Sequence, residues 1–167
     1  MAKIAATEER TLIVSAPLEE VYRFFSSPAL LREETPGVER FELLGPGKAR
    51  WVLVEKAEKG IRFQADFTVE YVAQAGDRVT WRTVATEGAG GNLDTIGEVL
   101  LRRLDDDRTE IHYRETLAPD LPITPILAAL FRPIVAREVR ADIGRFLDRV
   151  VRRFGGDRGQ RVNEVSP

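Results

Sequence analysis

Cysteine is absent from the 167 residues of this chain, which excludes disulfide bonds, thiolate metal sites and cysteine nucleophiles. Histidine occurs once, as His112, so a metal centre built from several imidazoles is excluded too. An excess of either charge is also missing. The 25 basic and 27 acidic residues leave a formal net charge of −2, and such a balance gives no general attraction to nucleic acid. No apolar run is long enough to span a membrane, and the opening MAKIAATEER lacks the apolar centre of a signal peptide. A cytoplasmic location is the expectation. Lysine is scarce, with four against 21 arginines, a bias that genome composition or heat adaptation would each produce. No motif for a metal or cofactor is found, and none is expected.

What is present is 43% hydrophobic residues over a length suited to one domain with a substantial core. Thr11 to Ala16 reads as a first strand ending at Pro17. The segment PLEEVYRFFSS then has helical apolar spacing, and a second short helix is predicted from Pro28 to about Glu34, before Thr35-Pro36-Gly37. From Val38 the pattern changes to period two, broken by turns, with further strands at 49–57, 61–72, 78–87, 93–104 and 109–117. In the clearest of them Ile61, Phe63, Ala65, Phe67, Val69 and Tyr71 alternate with polar residues, so one face is buried and the other wet. Parity is ambiguous in 93–104, where Leu100 and Leu101 are adjacent and a bulge would shift the register.

Residues Pro122 to Phe154 carry apolar side chains at three- and four-residue steps, Leu130, Ile134 and Ile143 among them, on one long helix. Arg137, Arg140, Arg145, Arg149 and Arg152 occupy most of its other face, with Glu138, Asp142 and Asp148 between them, the pattern of a solvated face with local ion pairs. Pro133 predicts a tolerated kink, or else a separately oriented first segment over 125–132. The tail from 155 to 167 has almost no apolar residue and is predicted to be disordered.

Seven antiparallel strands span roughly 34 Å, whereas a helix with its side chains is about 10–12 Å across. One helix cannot cover a flat sheet of that width, so the sheet must curl around it. The predicted fold is α+β, a helix-grip arrangement: a seven-stranded curved antiparallel sheet wrapped around a long C-terminal helix, with two short helices after strand 1, all within residues 1–154. An apolar interior bounded in this way is where a ligand pocket is expected. From the sheet it would be lined by Trp51, Leu53, Phe63, Phe67, Tyr71 and Trp81, and from the last strand by Tyr113 and Glu115. Leu130, Ile134 and Ile143 would line it from the helix.

Glu115 shares strand parity with Ile111, Tyr113 and Leu117. Its carboxyl group would face the cavity and could act as an acid or base or orient a polar ligand group, unless it reaches water or an arginine at the strand end. Glu55, in parity with Trp51 and Leu53, is a weaker candidate. His112 has the opposite parity and is expected to face solvent. The run Gly88-Ala89-Gly90-Gly91-Asn92 lacks the spacing and the strand-to-helix context of a phosphate-binding loop and reads as a hairpin connection.

The segments SAPLEEVYRFFSSPALL, TPGVERFELLG, EGAGGNLDTIGEVLLRRL and TEIHYRETL, in this order, resemble the START-like superfamily of polyketide cyclases and birch-pollen-type allergens, and within it the carbon monoxide dehydrogenase G-like proteins. The resemblance covers about Thr11 to Phe154 and rests on fold signatures. It implies a helix-grip fold with a cavity for lipids, quinones, polyketides or other apolar ligands, and it transfers no active site. The tail GGDRGQRVNEVSP lacks the apolar, membrane-directed extension that some of these G-like proteins carry. Three functions are compatible with this: binding or transport of a hydrophobic small molecule; a cyclase or dehydratase using Glu115 and Tyr113; and an accessory role in assembling a molybdenum hydroxylase. The first is preferred, because the apolar interior comes without a recognisable catalytic constellation. A homodimer or an accessory role to an enzyme complex is left open.

Overall fold

In the computed structural model, which describes residues 1–88 and 91–157, a two-residue strand β1 (Ala2–Lys3) precedes the long strand β2 (Ala6–Val14). The helices α1 (Leu18–Ser26) and α2 (Pro28–Glu34) follow, and the Ser27 hydroxyl caps α2 by accepting from the Leu30 amide at 3.3 Å. Six strands come next: β3 (Val38–Gly45), β4 (Lys48–Leu53), β5 (Lys56–Glu58), β6 (Ile61–Phe63), β7 (Asp66–Gln74) and β8 (Arg78–Val84). The chain continues with β9 (Leu93–Asp105), β10 (Arg108–Leu121), α3 (Pro125–Phe154) and a short β11 (Gly156–Asp157).

The main sheet runs β11-β2-β10-β9-β8-β7-β4-β3, with β1 added on β10, and every pairing is antiparallel. Seven of its strands are long, as expected, and the other two have two residues each. The 30-residue α3 is about 45 Å long at 1.5 Å per residue. Its buried face, which includes Val135, Val139, Ile143, Phe146, Leu147 and Val150, closes the concave side of the sheet. At one end of that interior Phe24 and Phe25, each 1% exposed, meet Phe146, and Phe24 also packs edge-on against Phe154. The two short helices thereby plug the space that α3 cannot fill.

Four expectations are corrected. The strand predicted over 61–72 is interrupted at Gln64 and Ala65, where the Asn92 side chain takes the place of a neighbouring strand. Its amide donates to the Gln64 carbonyl at 2.7 Å, and its oxygen accepts from the Asp66 N–H at 2.9 Å. β6 therefore leaves the main sheet and pairs only with β5. The strand predicted over 49–57 likewise stops at Leu53, because the Val54 amide turns to the Gly37 carbonyl at 2.8 Å. The long helix begins at Pro125 rather than Pro122, since Leu121 is still paired with Ala2. It is also one helix through Pro133. That proline lies on the exposed side, as does Ala129, whose carbonyl loses the helical partner, so water can serve it. Finally, Gly156 and Asp157 pair with Val14 and Ile13 instead of leaving the fold; the rest of the tail, like Ala89 and Gly90 of the glycine-rich run, lies outside the described residues. β9 keeps its parity from Leu93 to Arg103, with Leu100 outward and Leu101 buried, and the register shift falls at its end beside the turn, where Leu104 has no partner between Arg103 and Asp105.

Candidate functional site

Between the concave face of the sheet and α3 lies a cavity of about 340 Å³, within the size range of small-molecule sites. The alternation read from the sequence survives the break in the strand: Ile61, Phe63, Ala65, Phe67, Val69 and Tyr71 all line this one space. Trp51 and Leu53 of β4, Trp81 of β8 and Tyr113 and Glu115 of β10 join them, and α3 contributes Ile134 and Ile143.

The polar part of the wall follows from strand register. Tyr71 pairs with Trp81, Trp81 with Gly97, and Gly97 with Glu115, so these four residues form one row across four strands on the same face. Gly97 is the gap in that row. A Cβ there would overlap the Trp81 indole; its absence lets the ring lie across β9 and donate from Nε1 to Glu115 Oε2 at 2.7 Å. Thr95, two residues along β9, donates its hydroxyl to the same oxygen at 2.9 Å, and the Tyr113 hydroxyl donates to Oε1 at 2.9 Å. The aromatic rings stand close together, with centroids 5.4 Å apart for Trp81 and Tyr113 and 6.4 Å for Tyr71 and Trp81.

Burial pushes the Glu115 carboxyl above its ordinary pKa of 4.5, and the three donors from Trp81, Thr95 and Tyr113 pull against it. Tyr113 is raised well above the usual phenol range, first by burial and then by the charge of Glu115. Tyr71 is raised for the same two reasons; the Trp51 N–H lies beside its oxygen and opposes the shift, but no hydrogen bond of ordinary geometry joins them.

The rim is ionic. Lys56 of β5 reaches Glu138 at 3.1 Å and Asp142 at 2.5 Å on α3, and Arg137 meets Glu58 at 3.3 Å, so the β5–β6 hairpin is strapped to the helix across the mouth. Two more arginines of α3 are paired: Arg145 with Asp142, and Arg140, which approaches Glu8 at 3.9 Å.

Three candidates lie elsewhere. Leu130 does not line the cavity but is 55% exposed, because it lies off the face of α3 that buries its neighbours Ala128 and Phe131. Glu55 falls after the end of β4, where parity is lost, and pairs with Arg62 at the surface at 3.2 Å. His112 is on the outer face, as parity predicts, bonded to Glu9 at 2.7 Å and Thr11 at 3.1 Å. Thr95, Gly97 and Lys56 shape this site or its rim and are not singled out by the sequence pattern. Only Gly97 carries a local signal, since an isolated glycine within a strand marks a close approach. Among the described residues no group of three or more His, Asp or Glu side chains is arranged to hold a metal, and no helix is long and apolar enough to cross a membrane.

A curved antiparallel sheet gripping one long helix around an apolar cavity defines the helix-grip, START-like class of proteins. The chain belongs to the polyketide cyclase / dehydrase and lipid transport family, whose sequence model matches residues 4–155. An uncharacterized 17.2 kDa protein of Streptomyces lincolnensis is 28% identical over 155 residues, 92% of each chain. Among solved structures, a START superfamily protein from Mycobacterium smegmatis has a TM-score of 0.65 at 13% identity, covering 89% of this chain and 96% of its own. A conserved protein from Geobacillus kaustophilus has a TM-score of 0.67 at 16% identity, over 89% and 94%. Truncated norcoclaurine synthase from Thalictrum flavum has a TM-score of 0.61 at 11% identity, over 95% and 98%. At these identities the likeness concerns the fold alone.

Proposed function

We propose that this protein binds and carries a hydrophobic small molecule of the lipid, quinone or polyketide-like kind, with residues 1–154 as the binding domain. The observation that carries the reading is a cavity of about 340 Å³ walled by apolar and aromatic side chains. Among the described residues Glu115 is the one charged group in its interior, and every other lining charge sits at the rim. Such a wall offers binding energy in proportion to the apolar area a ligand buries, while a single polar group fixes its orientation. Native mass spectrometry of the purified protein should show a co-purified apolar ligand, and the emptied protein should take up the neutral dye Nile red. A protein that is isolated empty and takes up no dye would overturn the reading.

A second reading, a cyclase or dehydratase, is favoured by the contact between Tyr113 and Glu115 inside the cavity. There Glu115 would take a proton from a polyketide-like substrate and Tyr113 would position it. Unchanged turnover in Glu115→Gln would reject that assignment. A homodimer and a part in hydroxylase assembly gain no support from the cavity.

A further inference from the structure

Glu115 is a part-buried carboxylate whose hydrogen-bond partners include no cation among the described residues. Its three partners, the Trp81 indole, the Thr95 hydroxyl and the Tyr113 hydroxyl, are neutral, and each can donate. A carboxylate has about four acceptor positions, so one stays unfilled on Oε1, on a side chain that lines the cavity. The surrounding bases are engaged elsewhere. On the neighbouring strand Arg10 contacts Glu8 at 3.4 Å, and Arg140 of α3 approaches the same carboxylate at 3.9 Å. At the rim Lys56 is held by Glu138 and Asp142, and Arg145 by Asp142.

Tyr71, Trp81 and Tyr113 stand around this carboxylate with ring centroids 5.4–6.4 Å apart. Aromatic faces attract cations through their quadrupoles, most strongly where water is excluded. A carboxylate among such rings, with Glu8 opposite it on β2, is complementary to an ammonium group. We infer that the cavity selects an apolar amine, whose protonated nitrogen occupies the open side of Glu115 while its hydrocarbon part fills the space between β7 and α3. Removing two ions from water together often cancels their attraction. Here the protein's own carboxylate is already part-buried and held by three donors before the ligand arrives, which reduces its share of that cost.

This inference rests on the apolar-ligand reading, and the experiment separates the two. Nile red is displaced at pH 7 by n-octylamine, 1-octanol and octanoate, which share one chain and differ at the head. Octylamine should bind at least tenfold more tightly than octanol, and octanoate most weakly. Glu115→Gln should bring octylamine to within about twofold of octanol. Equal or weaker binding of the amine to the wild-type protein overturns the inference and leaves the cavity reading standing, and this comparison does not depend on the variant folding. An amine advantage that persists undiminished in a folded Glu115→Gln variant also overturns it. Failure of all three probes to displace bound dye overturns the inference, and failure of the dye itself to bind overturns both.

Discussion

Replacing Gly97 by alanine adds one methyl group where β9 passes beneath the Trp81 indole, and that methyl would overlap the ring. Tyr71 and Tyr113 stand on either side of the indole, so it can yield only towards the cavity. Displacing it breaks the 2.7 Å bond to Glu115. A lost hydrogen bond to a charged acceptor costs about 1.5–3 kcal/mol. Forcing an extra methyl into filled space adds about 1–3 kcal/mol. Gly97→Ala should therefore lower the urea-unfolding free energy by about 2.5–6 kcal/mol. The sign alone is diagnostic, since alanine for glycine at an unobstructed position stabilises by about 0.4–1 kcal/mol through the unfolded chain. The same alanine introduced into Trp81→Leu should be close to neutral, because the atoms it would strike are gone. Equal costs in the two backgrounds, or an undiminished stability of Gly97→Ala with intact near-ultraviolet circular dichroism, would refute the account of the row Trp81, Gly97 and Glu115.

The remaining predictions concern the same site and its supports. Burial raises the Glu115 pKa above 4.5, so the folded protein holds this proton to higher pH than the unfolded chain; its stabilising share is complete below about pH 4.5 and is lost as pH rises through the folded pKa, at up to about 1.4 kcal/mol per unit. The unfolding free energy of wild type minus that of Glu115→Gln should accordingly fall between pH 4.5 and 7, and a flat difference contradicts the shift. Lys56→Ala should change global stability by less than about 1 kcal/mol, because its partners are partly exposed, yet it should accelerate amide exchange across residues 56–63 several-fold; unaltered exchange would show that the strap does not hold the hairpin. Asn92→Ala should cost about 1–3 kcal/mol by leaving the Gln64 carbonyl and the Asp66 amide without their partner, with faster exchange at the Asp66 amide as the local sign.

Side-chain parity carries most of the site. Period-two alternation places Tyr71, Trp81, Tyr113 and Glu115 on one face, and they share that face because the period is a property of the strand itself. Breaks in the strands are not legible in the same way, since they depend on distant residues: β6 separates from β7 through Asn92, 26 residues beyond Asp66. Leu130 shows the complementary limit. Helical periodicity gives a wide apolar stripe, but which part of it meets the sheet is set by tertiary packing: Phe131 is buried while Leu130 beside it is exposed. The contact between Trp81 and Glu115 needs the register of β8, β9 and β10 together, and the vacancy at Gly97 acquires meaning only once that register is known.

The β5–β6 hairpin shares no ladder with the main sheet, and its link to α3 is made of surface charges. A guest could thus enter or leave without unzipping any strand of the wall. Residence time and resistance to denaturation then depend on different residues, so either could be adjusted by substitution while the other stays where it is.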